Sequence, residues 1–101
     1  MFGLSDKTVQ DINNIFSNFK QVEKVVIYGS RAKSNYRKGS DIDLTFFGDD
    51  LTLNILYEIE EKIEELNLPY MFDVSIYNQI DNQNMIEHID RVGKKFYEKR
   101  L

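Results

Sequence analysis

Residues 29–43 read Gly29-Ser30-Arg31-Ala32-Lys33-Ser34-Asn35-Tyr36-Arg37-Lys38-Gly39-Ser40-Asp41-Ile42-Asp43. A glycine-serine turn follows the apolar run Val25-Val26-Ile27-Tyr28, and ten residues separate it from two aspartates spaced one residue apart. The run before the turn is β-branched or aromatic without alternation, as expected of a strand covered on both faces. Asp41 to Phe47 alternates instead: Ile42, Leu44 and Phe46 point one way, Asp41, Asp43 and Thr45 the other. The stretch therefore predicts two strands joined by a basic turn or short helix, with the second strand carrying its acids on one face.

The flanking segments predict what covers such a sheet. Upstream, Ser5 can cap a helix in which Val9, Ile12, Ile15, Phe16 and Phe19 return at helical spacing, ending near Asn18 to Lys20. Downstream, Gly48-Asp49-Asp50 makes a turn that supplies acids to the start of a helix, where the dipole favours them. Leu51, Ile55, Ile59, Ile63 and Leu66 form the stripe of that helix, and Asn67-Leu68-Pro69 ends it. Tyr70 to Tyr77 predicts a third strand, with Phe72, Val74 and Ile76 on one face and Asp73 and Ser75 on the other. Asn82 to Lys99 predicts a last helix, its stripe made of Met85, Ile86, Ile89, Val92, Phe96 and Tyr97. The fold class is α/β (α+β): a small mixed sheet of about three strands flanked by helices, in one domain over residues 1–101.

These residues suit phosphate and metal chemistry. Magnesium takes oxygen ligands at roughly 2.0 to 2.1 Å and usually binds through one or two carboxylates plus substrate phosphates. Asp41 and Asp43, two apart on a strand and so about 6 to 7 Å apart at Cα, can share one ion or hold two. Asp73 joins them if the strands align, as ligand of a second ion and as acceptor of the proton from an attacking hydroxyl. Gly29 lets the backbone approach a phosphate with no Cβ in the way, and Ser30 adds a hydroxyl and an N–H. Arg31 and Lys33 stand ready to neutralise phosphate charge. Singly, an Asp-x-Asp pair or a Gly-Ser turn is commonplace; their combination beside a basic loop points to metal-assisted phosphoryl or nucleotidyl transfer. Tyr36 in that loop is placed to stack on a base, whereas His88, beside Glu87, reads as a surface or interface residue without chemistry.

Composition narrows the options. Apolar residues make up 42% and charged residues 30% of the 101, which suits a soluble globular protein rather than a disordered one. The net charge of -4 argues against direct nucleic-acid binding, which needs a broad basic footprint. Charge is unevenly placed: Arg31, Lys33, Arg37 and Lys38 crowd the loop, while Glu58, Glu60, Glu61, Glu64 and Glu65 gather on the following helix. With no cysteine there is neither a disulfide nor a thiolate nucleophile. No run of about 18 apolar residues and no basic-then-apolar leader is found, so no membrane is expected and the cytoplasm is the expected compartment.

Gly29-Ser30, ten residues, then Asp41-Ile42-Asp43 resembles the signature of the minimal nucleotidyltransferases (MNT) of the polymerase-β superfamily, and the likeness extends through Phe72-Asp73-Val74-Ser75 to Ile86-Glu87-His88-Ile89-Asp90-Arg91-Val92-Gly93. The resemblance implies a polymerase-β-like palm. It implies Asp41, Asp43 and Asp73 as catalytic acids and ligands of two Mg2+ ions, and Gly29, Ser30 and Arg31 as contacts to ATP or another nucleoside triphosphate. Short members pair with HEPN-domain proteins, so the implied function is a magnesium-dependent protein adenylyltransferase. It would move AMP from ATP to a tyrosine hydroxyl of a HEPN toxin, as the antitoxin of a type VII toxin-antitoxin module. Two alternatives are a non-catalytic antitoxin that neutralises by covering its partner, and the catalytic subunit of a small-molecule, aminoglycoside-like nucleotidyltransferase. One departure stands out: many relatives have glycine where this chain has Ser34.

Overall fold

The computed structural model describes residues 1–37 and 39–100; Lys38, read above as part of the basic loop, and Leu101 lie outside the described residues. The chain runs through α1 (Asp6–Ser17), β1 (Lys24–Tyr28), β2 (Ile42–Phe47), α2 (Leu53–Glu64), β3 (Phe72–Ile76), a single 3-10 turn (Tyr77–Gln79), α3 (Gln83–Val92) and β4 (Lys94–Glu98). The four strands form one mixed sheet in the order β3-β2-β1-β4. β1 pairs antiparallel with both β2 and β4, and β2 pairs parallel with β3.

The helix starts follow local capping chemistry. Ser5 caps α1, its side chain accepting from the Thr8 N–H, as its position in the sequence predicts. Thr52 does the same for α2 through the Ile55 N–H. The second helix therefore begins later than expected, and Asp49 and Asp50 stand outside its first turn, which holds no acid. Asn82 caps α3 by accepting from the Asn84 and Met85 N–H groups.

Alternation along β2 sorts the sheet into two faces. Ile42, Leu44 and Phe46 are fully buried, as are Val25 and Ile27 of β1. They meet Ile12 and Phe16 of α1 and Leu56, Ile59 and Ile63 of α2 in one cluster. Phe16 is its aromatic hinge, set edge-on to Phe46 at 5.2 Å between centroids. Burying each such side chain contributes about 1.5–3 kcal/mol. α3 lies on the opposite face: its buried Ile89 is outside this cluster, and its C-terminal Gly93 sits against Val26.

The last segment departs from the predicted helix. Helical structure stops at Val92 and residues 94–98 become β4, so the sheet has four strands instead of about three. At Gly93 a Cβ would run into the Ile89 carbonyl and Val26 Cγ1, so the chain can turn this tightly only with glycine there. Val92 and Phe96 sit four apart and fit a helix by spacing alone. Pairing with the otherwise open edge of β1 outweighs that local preference and takes Phe96 into the core at 6% exposure. Among the described residues no helix is long and apolar enough to cross a membrane.

Candidate active site

The parallel register of β2 and β3 sets Asp43 directly opposite Asp73 and Thr45 opposite Ser75. Residues directly across a pair of strands share a face, so the two carboxylates emerge together. On the other side of β2, Tyr28 of β1 is the partner of Asp43. One row across three strands thus reads Tyr28, Asp43, Asp73. Beneath it, Ser75 Oγ donates to Thr45 Oγ1 at 3.0 Å, which satisfies a threonine hydroxyl that is fully buried.

This row is electrostatically unfavourable as it stands. Burial, then the neighbouring charges of Asp73 and Asp41, push the Asp43 carboxyl above the ordinary carboxylate range. Tyr28 is pushed up as well, by burial first and next by Asp73; the Ser75 hydroxyl works the other way, and Asp43 adds a little. A divalent cation would remove that repulsion, and hard carboxylate oxygens are the donors magnesium prefers.

Asp41 takes a different position from the one expected. It lies just ahead of β2 and is exposed, whereas Asp43 is half-buried within the strand. The Ile42 N–H, donating to the Met71 carbonyl at 2.9 Å, fixes the chain between the two aspartates. Among the described residues no three His, Cys, Asp or Glu side chains are gathered closely enough to enclose an ion as they stand.

Gly29 is required by the acid next to it. Its φ is +76°, in the left-handed region, and a Cβ on it would land on the Asp43 carboxylate. Gly29→Ala is therefore expected to destabilise the fold by about 1–3 kcal/mol and to displace Asp43. Chemical denaturation, together with the Asp43 resonances in NMR spectra, would check both effects. After Gly29 the chain makes successive turns rather than the short helix that was one expectation. The Lys33 N–H donates to the Gly29 carbonyl at 3.2 Å, and the Asn35 N–H to the Ser30 carbonyl at 3.1 Å.

Arg31 departs from its expected role as a phosphate contact. It is 2% exposed. Its Nε and Nη2 donate to the Ser40 carbonyl at 3.1 and 2.8 Å, and Nη1 donates to the Phe2 carbonyl at 2.9 Å. The guanidinium also lies over the rings of Tyr36 and Tyr70, at 5.3 and 4.9 Å from their centroids. It closes the Gly29–Ser40 loop on itself and ties it to the N-terminal segment. Tyr36, read as a base-stacking residue, thus has its ring over Arg31 and stands against Gly3. Lys33 and Arg37 are exposed in the same loop.

Ser34 accounts for the one departure from the sequence pattern. Its φ is +64°, a conformation in which a non-glycine residue is strained. Ser34→Gly is expected to leave the loop path unchanged and to alter stability by up to about +1 kcal/mol, readable as a small rise in Tm.

The sequence pattern placed Thr45 and Ser75 on the aspartate side without assigning them a part. Tyr28 was missed, since a strand with no alternation gives no sign of which residue faces the acids.

The model of the family described as Polymerase beta, Nucleotidyltransferase matches residues 10–100. The chain belongs to the polymerase beta nucleotidyltransferase family. No curated protein matches it in sequence. Among solved structures, it is similar to a chain of a toxin-antitoxin crystallised with AMP-PNP, with a TM-score of 0.71 and 15% identity over 96% of this chain and 76% of that one. It is also similar to a chain of the tri-AMPylated Shewanella oneidensis HEPN toxin in complex with MNT antitoxin (TM-score 0.67, 14% identity, 95% and 74% covered). A third is the toxin-antitoxin MntA-HepT (TM-score 0.67, 14% identity, 94% and 74% covered). At such identities the likeness establishes the nucleotidyltransferase fold. The row of Tyr28, Asp43 and Asp73 is this domain's acid face.

Proposed function

We propose that this nucleotidyltransferase domain is a magnesium-dependent protein adenylyltransferase that moves AMP from ATP to a tyrosine hydroxyl of a HEPN-domain toxin, and so acts as that toxin's antitoxin. The observation that carries the reading is the register of β2 on β3, which sets Asp43 beside Asp73 next to the Gly29 turn. Two of the similar structures add to it by their composition, one a toxin-antitoxin with AMP-PNP and the other a tri-AMPylated HEPN toxin with an MNT antitoxin.

In this reading Gly29 and Ser30 receive the triphosphate through backbone N–H groups and the serine hydroxyl, with no Cβ to hold it off. Asp43 and Asp73, with Asp41 at the rim, would hold magnesium, two ions at full occupancy. When bound, magnesium neutralises the triphosphate and the departing pyrophosphate. Asp73, exposed at the outer strand β3, is the acid most open to an incoming macromolecule. It takes the proton as the tyrosine oxygen bonds to the α-phosphorus. The bond from that phosphorus to the bridging oxygen breaks and pyrophosphate leaves. Arg31 acts indirectly, by holding the loop that carries the turn. The cytoplasm, where ATP and magnesium are plentiful, is the proposed compartment.

Incubating the protein with α-labelled ATP, magnesium and a HEPN partner should label the partner on tyrosine, and Asp41→Asn with Asp43→Asn should end the labelling. If the doubly substituted protein still neutralises the toxin, neutralisation is by coverage and the catalytic reading is lost. Labelling of an aminoglycoside in place of the partner would instead favour small-molecule transfer.

A further inference from the structure

β4 has β1 on one side and, among the described residues, no strand on the other, so its outer backbone edge is open. Along that edge runs a groove of about 760 Å3 between α1 and β4, with Asn13, Asn14 and Ser17 on one wall and residues 95–100 on the other. Three independent features describe what fits there. The first is the open edge itself, a row of N–H and C=O groups that an extended chain can pair with. The second is the polar wall opposite, where the Asn13, Asn14 and Ser17 side chains offer amides and a hydroxyl to an extended chain. The third is charge: Lys95, Lys99 and Arg100 line the groove against one acid, Glu98, which Lys95 already pairs at 3.0 Å.

We propose that this groove binds an extended acidic segment of a partner protein, which adds to β4 as a fifth strand. Backbone pairing supplies the affinity, and the surplus of cations selects the sequence. A second copy of this chain is a poor occupant, because it would bring a second edge with the same surplus of cations, Lys94, Lys95, Lys99 and Arg100 against Glu98 alone, up to this one. The groove lies at the opposite end of the sheet from Asp73, so a segment seated there leaves the acid face open. The proposal is independent of the transfer reaction.

The test is an NMR titration of the full-length isotope-labelled chain with short synthetic peptides. One alternates valine with glutamate, a second alternates valine with lysine, and a third is the glutamate peptide N-methylated at every other amide. The glutamate peptide should shift the backbone amides of residues 94–100 and the side-chain amide of Asn13. Its affinity should fall by at least about tenfold between low and high salt, and by a similar factor on N-methylation. Lys95→Glu with Arg100→Glu should abolish the shifts while the rest of the spectrum stays in place. Equal binding of the lysine peptide, indifference to N-methylation, or no shift at β4 would overturn the proposal. So would self-association in sedimentation equilibrium that itself reproduces the β4 shifts, since the occupant would then be a second copy.

Discussion

Asp43→Asn is expected to cost at least about a thousandfold in nucleotidyl transfer while raising the thermal stability of the metal-free protein. The two effects share one cause. The Asp43 carboxyl is pushed above its ordinary range by burial and by the charges of Asp73 and Asp41, so the folded state disfavours its ionised form. A carboxyl raised on folding contributes stability that is present below its unfolded pKa and is lost as pH rises through the folded value. At neutral pH the charge therefore opposes folding. Asparagine keeps the shape and removes the charge, and should raise Tm by a few degrees in the presence of a chelator. The gap between the two proteins should close as pH falls and Asp43 protonates. Magnesium should then raise the Tm of the original protein and leave that of the variant nearly unchanged, since binding to the folded state alone is stabilising. Calorimetry at neutral and acid pH, with and without magnesium, reads all of this. A Tm that falls on substitution at neutral pH would contradict the electrostatic account of the site.

How much of this was legible in the sequence depended on whether local pattern and tertiary context agreed. They agreed in β2, where Ile42, Leu44 and Phe46 alternate with Asp43 and Thr45 and are all fully buried. The same alternation in β3 put Asp73 on the acid side, and the parallel register with β2 confirms the facing. They disagreed after Gly93. Lys94–Glu98 satisfies helical spacing, and only the vacant edge of β1 makes a strand the better solution, a fact no local window contains. The burial of Arg31 is hidden from the sequence for a related reason. An arginine in a basic loop beside a phosphate turn resembles a phosphate clamp, and the groups that claim it, Phe2 O and Ser40 O, lie 29 and 9 residues away in the chain. Asp41 differs more subtly. Strand alternation places it on the acid face, but the ladder begins only at Ile42, so it stands at the rim.

The arginine yields the other large effect. Arg31→Ala is expected to destabilise the protein by about 3–5 kcal/mol, a large part of the roughly 5–15 kcal/mol that holds a domain of this size together. Three charge-assisted hydrogen bonds would vanish, and the Phe2 and Ser40 carbonyls would lose their partners. The faces of Tyr36 and Tyr70 would be left over a void. Tm should fall by on the order of 15 °C. Arg31→Lys should recover little of this, because one ammonium cannot reproduce a planar fork that reaches two carbonyls and lies over two rings. Ser40 immediately precedes Asp41, so untying it also frees the approach to β2, and transfer should drop even well below Tm. Limited proteolysis should show new cleavage within residues 33–40 of either variant before any elsewhere. The opposite pattern, a raised KM for ATP with Tm and proteolysis unchanged, would mean that the side chain leaves its buried seat to reach the triphosphate.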